Sequence, residues 1–489
     1  MIDTKALREK ILDLAMCGKL VPQNPNDEPA SELLKRIKEE KEELIKQKKI
    51  KRDKNESEIF RGDDGFYYEK FADEVSEEIV IPYEIPQNWS WCRIVTATKN
   101  ISSGGDKPKQ VSMKQTDEFP YPIFSNGIKD NGLYGYSKEA KIFEKSVTVS
   151  ARGTIGFTAI RNEPYTPIVR LISIIPPQGK LDVGFLKYML SYLIPVGEGT
   201  SIPQLTVPGL KPFLIALPPY QEQLKIVDAI NEYFILIDEI EENQKSLAEQ
   251  LKKKVLDVAM QGKLVPQDSD DEPASFLLEK IRVEKQKLYE EGKLKKKDLE
   301  ETSIVKDEDN SYYGKLPESW LVSSLLDVTL RITDGSHNPP KDSGEGVQII
   351  SGKNIINDKV EFSLSNRWVT HEQFEKEDAR TQIRKRDLLL TIVGTIGLTA
   401  VVSTDIPFTA QRSVAVLKTP STFDSRYTKI IFDAPIIQNF LQSKSSGTAQ
   451  KGVYLATIKQ IKIPIAPAKE QGRIVEKVNQ VNQILLNFQ

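Results

Sequence analysis

The sequence predicts an α+β protein in which two globular domains are separated by a long antiparallel coiled coil, built as a pseudo-twofold, cyclically permuted duplication. Three observations predict it. A large unit occurs twice along the chain. Its helical parts carry apolar residues at alternating spacings of three and four. Between them lie two long segments of short strand-like runs broken by Gly, Pro, Asn and Asp.

Residues 1–54 read as a helical hairpin. Its first helix is amphipathic and ends at Gly18, a residue suited to a left-handed cap, and Asp27 with Pro29 mark the start of the second helix. Residues 55–80 are expected to be a linker. Residues 81–218 form the first globular domain, with strand-like runs at Val147–Ser150, Phe157–Ile160 and Leu171–Ile175. Residues 219–300 are central helices. Here Ile230, Tyr233, Ile237, Ile240, Gln244, Leu247 and Leu251 predict a coiled-coil seam within a helix from about Gln223 to Met260. Gly262 then supplies a cap, and Asp271 and Pro273 open another helix. Its apolar face is Leu277, Leu278, Ile281 and Leu288, and its end is expected near Lys297. Residues 301–313 are expected to be a second linker. The second globular domain, 314–467, carries runs at Leu388–Ile392, Leu398–Val402 and Ser413–Leu417, and a last helix fills 468–489.

The duplication is explicit. Leu7–Lys54 matches Leu251–Asp298, 244 residues on, with half the positions identical. GKLVPQ stands at Gly18–Gln23 and Gly262–Gln267, and DEPAS at Asp27–Ser31 and Asp271–Ser275. Ile85-Pro86-Gln87-Asn88-Trp89 returns as Leu316-Pro317-Glu318-Ser319-Trp320, Gly153-Thr154-Ile155-Gly156 as Gly394-Thr395-Ile396-Gly397, and Glu222-Gln223 as Glu470-Gln471. The helix starting near Glu222 runs for roughly forty residues, but its copy near Glu470 stops at Gln489. The missing half stands at the beginning, as Ala6–Cys17. Gln489 then corresponds to Glu241 and Met1 to Lys245, so the chain ends are expected to lie nearly end to end along one helix axis.

Composition bounds the function. With 68 Lys and Arg against 70 Asp and Glu, the 489-residue chain is almost neutral. A lone duplex-DNA binder usually presents a basic surface. Either the cations are segregated on one face, or a partner supplies part of the phosphate attraction. No apolar run is long enough for a membrane span, and the opening residues lead directly into an amphipathic helix, so neither a span nor a secretory signal is expected. Cys17 and Cys92 cannot make a disulfide framework, which points to a reducing, cytoplasmic setting.

Catalytic signatures are weak. Asn338-Pro339-Pro340 has the core of an adenine-methyltransferase motif, but Lys341 stands where an aromatic ring should stack the flipped base. Gly352-Lys353-Asn354 lacks the upstream glycine and the Ser or Thr of a phosphate loop. His337 and His371 with two distant cysteines do not compose an ordinary zinc site. The expectation is a chain with no catalytic site, metal or cofactor of its own. The two GTIG elements lie between strand-like runs and read as tight turns needing glycine dihedrals.

The motif order, present twice, resembles the specificity subunits of type I restriction–modification systems over essentially the whole chain. The carriers are the GKLVPQ…DEPAS hairpin, the Ile-Pro or Leu-Pro lead-in to Trp89 and Trp320, the GTIG turns, and the exits Leu217–Gln223 and Ala466–Gln471. Ile332-Thr333-Asp334-Gly335-Ser336-His337 is similar to a motif frequent near the start of such recognition domains. The resemblance implies that 81–218 and 314–467 are target-recognition domains, each reading half of a bipartite site in double-stranded DNA. It implies that the coiled coil sets their separation and docks two methyltransferase subunits, with restriction subunits joining the full complex. S-adenosylmethionine, ATP and Mg are then expected on the partner subunits.

Base recognition asks for Arg or Lys against guanine and Asn or Gln against adenine, with further cations on phosphates. The first domain offers Lys107, Lys109, Lys114, Asn126, Lys129, Asn131, Tyr134, Arg152 and Arg170. The second offers Ser336, His337, Asn338, Lys341, Lys353, Asn354, Arg367, Gln411 and Arg412. Two rival readings are a self-sufficient DNA methyltransferase, which S-adenosylmethionine binding by the isolated chain would reveal, and a coiled-coil scaffold for two protein ligands. Mobility shifts of DNA across a salt series discriminate the second.

Overall fold

Helix ends are where the repeated sequence becomes repeated structure. The helix Thr4–Met16 stops because Gly18 turns left-handed at φ 67°, with Gly18 N–H bonded to Ala15 O at 3.2 Å and Lys19 N–H to Leu14 O at 2.8 Å. The long helix Tyr220–Met260 ends identically at Gly262, also at φ 67°, through Ala259 O at 3.1 Å and Val258 O at 3.1 Å. These bonds satisfy carbonyls that the helix itself cannot. The computed structural model describes every residue except 1, 72–75, 195–196, 199–203, 303–312, 366, 446–450 and 487–489, with backbone alone at 197–198.

The second hairpin helices are Ala30–Lys46 and Ala274–Glu290. The latter ends seven residues short of the expected Lys297. Gly292 at φ 72° closes it, through Gly292 N–H to Tyr289 O and Lys293 N–H to Leu288 O. Leu288 therefore sits in the closing turn.

The chain divides into two units, Met1–Glu242 and Asn243–Gln489. This division falls within four residues of the permutation point read from the repeats. In the first unit the long helix runs antiparallel to Thr4–Met16. Arg8 pairs with Asp238 and covers the Phe234 ring at 4.9 Å, while Gln23, beyond the short helix, meets Glu222. The second unit combines the later part of the long helix with Ala468–Leu486. The expectation that the chain ends meet falls on Met1 and Gln489, which lie outside the described residues.

The seam corrects the sequence reading in phase. Ile226, Ile230, Ile237, Ala248, Ala259 and Met260 are buried, whereas Tyr233, Leu247 and Leu251 are exposed. Phe234 takes the place expected of Tyr233, and Ala248 that of Leu247. Side-chain hydrophobicity favours Leu over Ala, yet Ala248 is fully buried and Leu247 faces outward.

The stretch expected as a linker at 55–80 is folded instead. Ser57–Arg61, Tyr67–Phe71 and Glu77–Ile79 form an antiparallel meander. Its buried Glu69 accepts from Ser57 Oγ at 2.5 Å and from both Nε and Nη2 of Arg93 at 2.9 and 2.6 Å, which ties the meander to the first domain. Of the second expected linker, 303–312 lie outside the described residues.

Both globular domains have one topology despite dissimilar sequences. In the first, a four-stranded antiparallel sheet runs Thr158–Arg161, Ser146–Val149, Ile172–Ile175, Asn100–Ser103. In the second the order is Thr399–Val401, Leu388–Thr391, Val414–Lys418, Arg331–Asp334. Each has a smaller mixed sheet. Thr166–Pro167 lies parallel to Tyr121–Phe124, which pairs antiparallel with Leu133–Ser137; Phe408–Ala410 lies parallel to Val347–Ile350, which pairs antiparallel with Trp368–Val369. The strands leading in and out pair with each other, Ser90–Arg93 with Leu214–Leu217 and Leu321–Ser324 with Lys462–Ile465. One helix packs on each larger sheet, Val183–Leu193 through Phe185, Leu186 and Leu190, and Ser425–Asp433 through Tyr427 and Ile431. The strands named from sequence are all present, within one residue at every end. The α+β class is as expected.

Candidate nucleic-acid interface

The repeated motifs assemble into a joint between helices and sheet. A Cβ on Gly18 would lie 2.5 Å from Pro86 Cγ, and one on Gly262 2.6 Å from Pro317, so each capping glycine is also the floor on which the lead-in proline rests. Trp89 Nε1 donates to Glu222 at 3.0 Å and Gln23 Nε2 to the other oxygen at 2.5 Å; Trp320 and Gln267 hold Glu470 at 2.9 and 2.5 Å. Burial pushes both carboxyls above their ordinary range, and these donors pull the other way. The neighbouring glutamines clamp backbone. Gln223 accepts from Asp182 N–H and donates to Pro218 O, and Gln471 accepts from Asp424 N–H and donates to Ala466 O. Lys41 and Lys285, buried at equivalent repeat positions, each donate to a carbonyl of a short helix, Val95 O and Leu326 O, both at 2.8 Å. The motifs that make the chain recognisable are thus architecture.

The variable residues gather elsewhere, on loops where the two sheets of each domain meet. Gly104 N–H bonds Leu171 O at 2.8 Å and Ile168 N–H bonds Phe124 O at 2.9 Å. Gly335 N–H to Val414 O at 3.0 Å and Gln411 N–H to Ile350 O at 2.8 Å repeat this in the second domain. The GTIG turns flank these loops. Gly153, Gly156, Gly394 and Gly397 all have positive φ, between 69° and 96°, in keeping with the turn reading.

In the first domain, Lys107 and Tyr134 come together, Nζ lying 2.6 Å from the hydroxyl and 4.8 Å from the ring centre. Asn126 uses its amide within the chain, accepting from Ala151 N–H and donating to Val169 O, each at 2.8 Å. Arg152 reaches Gln204 at 2.9 Å. Lys129 and Asn131 stand exposed on the loop that Ser125 N–H closes onto Gly132 O. Arg170 is exposed on a two-residue turn with no side-chain bond to another described residue. Lys109 and Lys114 are exposed on the longer loop before Tyr121, and the structure brings neither against the other candidates.

In the second domain, His337 Nε2 lies 2.8 Å from Asp334 Oδ2, whose carboxylate also pairs with Arg380. Arg367 donates to Pro340 O at 2.7 Å. Asn354 is buried, accepting from Ser351 N–H and donating to Glu361 O at 3.0 Å each, so its amide serves the loop. Ser336 is buried and bridges Gln411, which is half-buried. Asn338, Lys341, Lys353 and Arg412 are exposed, with no side-chain bond to another described residue.

Three participants were missed in the sequence. Arg161 is buried under the first loop, with its guanidinium 3.6 Å from the Phe124 ring centre, Nε on Thr148 Oγ1 at 3.0 Å and Nη2 on Asn131 O at 2.7 Å. Burial pushes it down to about 10. Lys141 Nζ lies beside Gly105, 3.5 Å from where its Cβ would be. Tyr454 is an exposed aromatic next to Val453, which bonds Ile392 O beside the GTIG turn. Spacing in the sequence gave no signal for these, because each is placed by contact with a distant segment: Arg161 with Asn131, Lys141 with Gly105, and Val453 with Ile392. Among the described residues there is no cluster suited to a metal ion, and no helix is long and apolar enough to cross a membrane.

Comparison with known proteins gives one consistent result. The family described as type I restriction modification DNA specificity domain matches residues 99–250 and 320–488. The EcoAI type I restriction enzyme specificity subunit of Escherichia coli is 28% identical, covering 98% of this chain and 89% of its own. The EcoEI specificity subunit of the same organism is 25% identical, covering 97% and 88%. Among solved structures, the HsdS subunit from Thermoanaerobacter tengcongensis aligns over 83% of this chain and 92% of its own, at 14% identity and a TM-score of 0.35.

Proposed function

The chain belongs to the family of type I restriction–modification DNA specificity domains, and from that membership we propose that it chooses where on DNA a modification and restriction assembly acts. It is a specificity subunit, and chemistry on DNA belongs to its partners. Each globular domain reads one half of a bipartite double-stranded site. The observation that supports this best is the pair of matching loop clusters. One topology occurs twice, yet the exposed side chains at equivalent loops differ, as two readers of different sequences require.

The reading set is Lys107, Lys129, Asn131, Tyr134, Arg152 and Arg170 in the first domain, with Lys109 and Lys114 as outlying phosphate contacts. In the second it is His337, Asn338, Lys341, Lys353, Arg367, Gln411 and Arg412. Asn126, Asn354 and Ser336 shape the loops. Two methyltransferase subunits dock on the helical region, where Tyr233, Ile235 and Leu236 leave apolar surface exposed. Restriction subunits join through them, and S-adenosylmethionine, ATP and Mg act on those partners, in the cytoplasm. The long helix, 41 residues and about 60 Å at 1.5 Å per residue, is the spacer between half-sites.

Methylome sequencing tests the proposal. The chain and its methyltransferase partner are expressed in a host without other DNA methyltransferases. The expected result is adenine methylation at one two-part sequence with a fixed gap. Methylation at a single uninterrupted sequence, or none dependent on this chain, contradicts it.

A further inference from the structure

The turn that joins the sheets of the first domain carries an unusual side chain. Val169 and Arg170 both have left-handed backbone, at φ 52° and 61°. Val169 is the one β-branched residue in that region among the described residues, and a branched Cβ is where the left-handed conformation is most strained. A turn that served only to reverse the chain would use Gly or Asn there. Val169 is nevertheless 46% exposed, so its methyl groups gain little from the core.

The strain is held from outside. Val169 N–H bonds Gly105 O at 2.9 Å, Arg170 N–H bonds Gly104 O at 3.0 Å, and Asn126 Nδ2 bonds Val169 O at 2.8 Å. Gly104 permits this approach, since a Cβ on it would stand 2.6 Å from the Pro167 carbonyl carbon. The second domain places a turn at the corresponding position, Arg412–Ser413, with the same backbone anchor but without left-handed residues. Arg412 N–H bonds Ser336 O at 2.9 Å, and a Cβ on Gly335 would meet Ala410 O at 2.1 Å.

We infer that Val169–Arg170 is a base-reading tip of the first domain, Arg170 addressing a guanine and Val169 the methyl of an adjacent thymine, with Asn126 and Gly104 as positioning residues. The inference rests on the DNA-recognition reading above. Strained backbone persists where surrounding contacts over-determine it, and it concentrates at ligand-contacting sites. In the major groove guanine O6 and N7 match an arginine fork and the thymine methyl matches an apolar side chain, and an exposed turn between two sheets can present both. Arg170 has its fork free of other described residues. In the second domain the exposed arginine, Arg412, stands one place earlier, where the first domain has Val169, so the two turns present different side chains.

The test uses the full chain with its methyltransferase partner, read by methylome sequencing, for Arg170→Ala, Arg170→Lys and Val169→Gly. Arg170→Ala is expected to make one G·C pair in one half-site degenerate, with discrimination there falling about 5- to 100-fold and the other half-site unchanged. Arg170→Lys keeps the charge but loses the fork, so methylation persists with the same degeneracy. Val169→Gly is expected to relax the adjacent position while raising the melting temperature of the purified chain, since the left-handed strain is relieved. A purely structural valine would shift melting and leave the target intact. A target unchanged in Arg170→Ala and Val169→Gly, or an affected half-site without a G·C pair, overturns the assignment alone. A wild-type chain that directs methylation to no bipartite sequence overturns the functional reading, and this assignment with it.

Discussion

At the scale of single residues, the same side-chain types serve opposite ends. Asn126 and Asn131 are five positions apart on one loop, yet the first has both amide groups bonded inside the chain and the second is exposed. Residue type in a loop reports a capacity for hydrogen bonding. Which partner uses it depends on strands that arrive from far along the chain, so the sequence names candidates without saying which of them the fold itself consumes. Glu222 and Glu470 make the point with charge. Their pairing with tryptophan and glutamine is invisible in spacing until the joint is assembled, and burial then raises their carboxyls. A carboxyl raised in the folded state adds stability below its unfolded value, and that contribution is lost as pH rises through the folded value. Melting temperature measured from acid towards neutral pH should therefore carry a downward component from these two groups. Glu222→Gln with Glu470→Gln should flatten it. An unchanged pH profile in the double variant would show that the two carboxyls do not couple to folding.

At the scale of elements, helices were legible to within a few residues where a cap is local, and the one end missed by seven residues, at Glu290, is closed by Gly292. Gly18, Gly262, Pro29 and Pro273 each act within one turn. The seam was one residue out at two places, where Phe234 and Ala248 stand in for Tyr233 and Leu247. This difference is measurable. Ala248→Leu should overpack a fully buried position and cost about 1–3 kcal/mol. Leu247→Ala, at an exposed position, should stay within about 0.5 kcal/mol. Urea unfolding of the isolated chain distinguishes them, and a costly Leu247→Ala with a silent Ala248→Leu would restore the phase read from sequence. The meander at Ser57–Ile79 escaped the sequence reading for another reason. Its strands are short and largely solvent-facing, and their inward side mixes a buried carboxylate, Glu69, with Ile59 and Tyr67, so alternation of hydrophobicity is faint.

At the scale of the whole molecule, the permuted duplication was the strongest signal in the sequence, because it rests on the order of many weak motifs. Its functional corollary is a ruler. Inserting seven residues, two helical turns, into the long helix and seven into its terminal counterparts should lengthen the unread gap and leave both half-sites intact, as methylome sequencing would register. An unchanged gap would detach spacing from helix length. Near-neutral charge has its own consequence. With 68 cations against 70 anions, the chain alone should bind its target weakly and with a shallow dependence on salt, the slope steepening when the methyltransferase partner is added. Tight binding by the chain alone in a mobility-shift titration would contradict this.

The division after Glu242 bears on how much of the gene is needed to make something foldable. Residues 1–242 include a complete joint, a larger and a smaller sheet of one globular domain, and both members of an antiparallel helix pair. A truncated message ending there should still yield an autonomously folding product, half a reader whose severed helix leaves it in want of a mate.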